Sequence, residues 1–122
     1  MDDFKEKDME EALQAMTSMI SRTENAKEKF AQGTSQNTLQ KNRLKALYIG
    51  SSLISKEMGK IVIPDYTIDD LENAIAPIAS LISKSEKAQK KLRIGTWQHT
   101  MLGNNLKALY MVSTLLTKRI EI

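Results

Sequence analysis

Sixty-two positions separate two copies of one turn, and that spacing constrains the chain more than any other feature. Gly33-Thr34-Ser35-Gln36-Asn37-Thr38 leads into Asn42-Arg43-Leu44-Lys45-Ala46-Leu47-Tyr48. Gly95-Thr96-Trp97-Gln98-His99-Thr100 leads into Asn104-Asn105-Leu106-Lys107-Ala108-Leu109-Tyr110 with the same spacing. Aligned without a gap, residues 8–58 and 70–120 are identical at 22 of 51 positions. Met9/Leu71, Leu13/Ile75, Met16/Ile78 and Met19/Leu81 are conservative pairs among the rest.

Each copy has the pattern of a helical hairpin. Met9, Leu13, Met16, Ile20, Thr23, Lys27 and Phe30 recur at alternating spacings of four and three, which predicts one helix over 9–32. Asp8 is its expected N-cap, with Glu10 and Glu11 in a first turn that favours carboxylates. Gly33 is expected to end that helix in a left-handed conformation, and Thr34 or Ser35 to cap the next one at once. Gly95 and Thr96 repeat the device. So short a connection makes the two helices antiparallel neighbours. The second helix is expected over about 35–58, with Leu39, Ala46, Gly50 and Leu53 as its main stripe. Ala46 and Gly50 permit a close approach there, which Val112 in the second copy is expected to lose.

A third helix over about 69–93 follows, capped by Thr67 or Asp69, and a fourth over about 97–119. Pro77 is expected to kink the third helix or reset its start, since proline removes a hydrogen bond and crowds the preceding carbonyl. Between the hairpins Gly59 stops the second helix, and Ile61-Val62-Ile63 before Pro64 is expected to cross the end of the bundle as an apolar strap. The predicted fold is all-α: an up-down-up-down four-helix bundle built from two tandem, pseudo-twofold-related hairpins. One domain spans 1–122, with repeat 1 at 8–58, a linker at 59–69 and repeat 2 at 70–120.

Composition narrows the chemistry. No cysteine is present, so disulfides and thiol chemistry are excluded. His99 is the only histidine and has no carboxylates at metal spacing around it, nor is there a Glu-x-x-His pair. No catalytic, metal or cofactor residue is therefore expected, and the chain reads as non-enzymatic. The Gly-Thr turns lack the further glycines and the Lys of a phosphate cradle. The start is acidic and alternating, unlike a signal peptide, and no run approaches eighteen apolar residues. A cytoplasmic protein without a membrane span is expected.

The informative conflict lies on the second and fourth helices. With Leu39 at zero and about 100° per residue, the main stripe centres near 20°, whereas Leu44 falls at about 140° and Tyr48 at about 180°. Leu106 and Tyr110 repeat that placement. Two readings compete. In one, these helices are packed on two sides, with the tyrosines at the boundary and their hydroxyls in water. In the other, Leu44, Tyr48, Leu106 and Tyr110 form a second apolar surface that joins two copies of the chain. Arg43 and Asn105 fall near the stripe centre, and Arg43 is expected to reach Glu24 or Glu28. Trp97 and His99 are expected to be a local packing feature.

The function these features predict is a non-catalytic protein-interaction module that self-associates as a homodimer. An alternative is nucleic-acid binding or regulation through a basic helix flank of Lys41, Lys45, Lys56, Lys107 and Lys118, all possible anion contacts. The net charge of +3 is mild, although residues 1–11 alone hold six acids and two lysines. In size, helical content and mild basicity the chain resembles the small immunity proteins of bacteriocin producers. That resemblance implies a further alternative, capture of another protein or a peptide, and supplies no residues.

Overall fold

Four helices, α1 (Glu6–Glu28), α2 (Ser35–Glu57), α3 (Ile68–Lys90) and α4 (Trp97–Ile120), form the computed structural model, which describes residues 4–60 and 65–121. The described residues include no strand. The bundle is the expected one, and its two turns share one Gly-Thr cap geometry. Thr34 Oγ1 accepts from the Asn37 N–H at 3.2 Å and donates to the Ala31 carbonyl at 2.7 Å. Thr96 Oγ1 accepts from His99 N–H at 3.3 Å and donates to Arg93 at 2.8 Å. Gly33 and Gly95 stand at φ 84° and 96°, the left-handed region that side chains resist.

Several boundaries differ from expectation, each for a local reason. α1 and α3 stop at Glu28 and Lys90, short of 32 and 93, because the last residues of each stretch build the turn. Gly33 and Gly95 thus precede the next cap and do not end a helix. α1 begins a turn early, with Lys5 as an N-cap that makes no side-chain bond. Asp8 is inside the helix, and Phe4, packed against the core, accounts for the earlier start. α3 opens with a capping box, in which Thr67 and Asp70 each bond the other's backbone N–H. It neither ends nor restarts at Pro77. The strap Ile61-Val62-Ile63 and Pro64 lie outside the described residues.

The two hairpins interlock unequally around the core. α2 and α4 each pack against all three other helices, whereas the α1 and α3 backbones nowhere approach within 8 Å among the described residues. α2 and α4 therefore span the short diagonal of the bundle. A helix in that place must bury far more than one stripe. From Ile49 through Ala46, Gly50, Arg43 and Leu47 to Leu44, the buried arc of α2 covers about 220°.

Gly50 sits at a tight contact between α2, α4 and α1. A Cβ built there would lie 2.7 Å from Val112 Cγ2 and 2.9 Å from Met16 Cε. Val112 is Gly50's own counterpart in the second copy. The closeness is not lost at Val112; the valine fills the room that the glycine leaves. Equivalent residues of α2 and α4 meet there, at the pseudo-twofold axis.

Cross-links between the hairpins fix the polarity. Arg22, late in α1, donates to Met101 Sδ, early in α4, at 3.0 Å. Lys118, late in α4, reaches Glu57 at the end of α2 at 3.5 Å. Both hairpin turns thus lie at one end of the bundle. No described helix is long and apolar enough to cross a membrane.

Candidate functional site

The proposed apolar ridge divides when the side chains are placed. Leu44 and Leu106 are only 9% and 6% exposed, so they belong to the interior, while Tyr48 and Tyr110 remain 42% and 44% exposed. A continuous Leu/Tyr surface is therefore not on the outside of the monomer. Because α2 and α4 are buried through so wide an arc, the leucines at its margin are covered and only the tyrosines beyond it stay at the boundary.

Each tyrosine is tied down. Tyr48 Oη donates to Glu24 Oε2 at 2.8 Å, and Tyr110 Oη donates to Glu86. These hydrogen bonds to a carboxylate, with some desolvation and the carboxylate's charge, hold both phenols above their ordinary pKa. Tyr and Glu are unchanged between the copies at the same separation, a signal of pairing already present in the sequence. Glu24 is thus engaged by Tyr48. Arg43 makes no ion pair with Glu24 or Glu28; it lies on the side of α2 that faces α3.

Three of the five flank lysines are paired with carboxylates: Lys45 with Asp70 at 3.1 Å, Lys118 with Glu57 at 3.5 Å, and Lys56 with Asp65. The lysines lower the pKa of Asp65 and Asp70, chiefly through these hydrogen bonds, with backbone N–H groups adding to the effect. Only Lys41 and Lys107 of the five have no ion pair among the described residues. As an anion track this flank is largely neutralised.

Charge gathers elsewhere. With both turns at one end, residues 18–45 and 80–107 form that half of the bundle. They hold twelve basic and three acidic side chains. The described residues of the opposite half hold six basic and ten acidic ones. The second hairpin carries most of the apolar exposure at the basic end. Ile94 is 83% and Trp97 69% exposed, beside Lys87, Lys90, Lys91 and Arg93. Trp97 is thus a surface residue, not a packing feature. Phe30, at the first turn, is exposed too. Sequence reasoning missed this surface because it counted charge along single helices instead of across the shared end.

His99 holds the place of buried Asn37. The Asn37 amide donates to the Lys27 and Phe30 carbonyls, both at 3.3 Å. In the second turn the bond runs the other way, from Gln89 Nε2 to the His99 carbonyl at 3.2 Å. No three His, Asp or Glu side chains gather into a metal-binding group among the described residues.

Two related grooves flank the short diagonal. Between α2 and α3 a hollow of about 540 Å³ is walled by Arg43, Ala46 and Ile49 on one side and Asn73, Ala74 and Pro77 on the other. Its counterpart between α4 and α1 is broken into two hollows, of about 240 and 250 Å³. No protein-family model matches this chain, and no curated protein or solved structure matches it either.

Proposed function

We propose that the chain is a non-catalytic helical interaction module that docks an acidic protein partner on the turn end of the second hairpin. The observation that carries this reading is the coincidence there of Ile94 and Trp97, both largely exposed, with a strongly basic surround. Large apolar side chains cost free energy in water and supply anchor area when covered, while the surrounding charge draws in and orients an acidic surface. Three of the five lysines of the nucleic-acid flank are already paired, so that reading has less support. Self-association through the Leu/Tyr stripe now rests on the two tyrosines alone.

A photoactivatable side chain placed at position 97, and as a control at its counterpart Ser35, tests this in native lysate. Expected are protein adducts at 97 but not at 35, with acidic partner chains, that fade as salt rises. Nuclease-sensitive adducts would favour nucleic acid, and adducts of twice the chain mass would favour self-association. Light scattering is the companion measurement. A monomer at micromolar concentration is expected, and a dimer dissociated by Tyr48→Glu with Tyr110→Glu would restore the homodimer reading.

A further inference from the structure

Arg43 is nine-tenths buried, and its Nε has no hydrogen-bond partner among the described residues. No carboxylate forms an ion pair with it. The Nε is shut off from water with nothing to bond and the guanidinium has no counter-charge beside it among the described residues, a demand that an anion in the groove would meet. Arg43 lines the groove of about 540 Å³ between α2 and α3, so the unmet demand and the space for a ligand occur together. The other charges in that wall cancel: Lys45 is bonded to Asp70. One cation is left over.

The opposite copy shows what the groove looks like without these features. Asn105 stands where Arg43 does, Ala15 stands where Pro77 does, and the space is divided into two smaller hollows. Pro77 adds a second difference. It has no N–H to give the carbonyl of Asn73 four residues earlier, so the α3 wall holds an acceptor without its usual helical partner.

We propose that the α2–α3 groove binds a small organic carboxylate, its single charge taken by Arg43 and its compact apolar body laid along Ala46, Ala74 and Pro77. Guanidinium and carboxylate match in charge and in planar, two-pronged geometry. One uncompensated cation matches one negative charge, which favours a carboxylate over a phosphate dianion. This site is separate from the turn-end surface and does not depend on it.

The test is nitrogen-detected NMR of the labelled protein, titrated with sodium butyrate and separately with inorganic phosphate. Butyrate is expected to shift the Arg43 Nε–Hε signal and the amides of Asn42, Asn73 and Ser80 saturably, with millimolar or tighter affinity. Arg43→Met keeps the aliphatic stem and removes the unpaired charge, so it is expected to fold and to lose about tenfold or more in affinity. Ala76→Leu, at the exposed rim, is expected to weaken binding by filling space without touching the core. Shifts that persist in Arg43→Met, or none at about 50 mM butyrate, would overturn the assignment. So would phosphate acting more strongly than butyrate on the same signals.

Discussion

At the same two places in the two hairpins, one has Gln32 and Ser35 and the other Ile94 and Trp97. Just before them the first copy has Asn25, Glu28 and Ala31 where the second has Lys87, Lys90 and Arg93. The turns between these residues are bonded alike, so the backbone did not require the change. Inside the bundle the differences are of another kind. Gly50 faces Val112, and the Asn37 bond to Lys27 is answered by a Gln89 bond to His99. These two interior differences come as matched pairs, whereas those at the second turn and at buried Arg43 have no matching partner. Unmatched differences are where a duplicated fold has room to acquire separate tasks.

The largest expected effect concerns the matched pair at the axis. Gly50→Val forces branched carbons into Val112 and Met16 and should cost about 3 kcal/mol or more in denaturant melts. Adding Val112→Gly should recover more than half of that loss. Simple additivity of the two changes would mean that the residues do not share one space.

Next come the leucines. Leu44→Ala and Leu106→Ala should each cost about 2–4 kcal/mol, with little difference between copies, because both side chains are covered within the monomer. If instead stability held and only association changed, the leucines would be surface anchors after all.

Much of this was legible in advance. Four helices, their antiparallel order and the Thr34 and Thr96 caps follow from apolar period and from Gly-Thr punctuation. Leu44 was not legible, since a helical wheel gives an angle but not how many neighbours surround the helix. Only the short-diagonal position of α2 and α4 extends burial to that angle. The turn-end charge became visible once both turns were placed together. The start of α1 depends on Phe4 reaching the core: Phe4 and Met9 hold the N′ and N4 places of a hydrophobic staple, a signal that a cap at Asp8 passes over.

Smaller effects test the likeness of the turns. Gly33→Ala and Gly95→Ala should each cost about 1 kcal/mol, and equally, because a Cβ at either site meets nothing within 4 Å and only the backbone angle resists. Unequal losses would show that the turns differ in strain. The smallest effect is in alkali. Because Tyr48 and Tyr110 have folded pKa values raised above 10.0, their contribution to stability is complete below the unfolded pKa and is lost as pH rises through the folded values. Ultraviolet titration should show both phenols ionising later than free tyrosine, and Glu24→Gln and Glu86→Gln should each bring its own partner back down.

Trp97 is the chain's only tryptophan, so its emission reports on the second hairpin's turn without further labelling. Quenching by iodide and by caesium at low ionic strength measures its exposure and the sign of the potential around it at once. Iodide should quench strongly and caesium weakly, and added salt should bring the two together. Weak quenching by both ions, or equal quenching at low salt, would contradict an exposed anchor set in a basic surface.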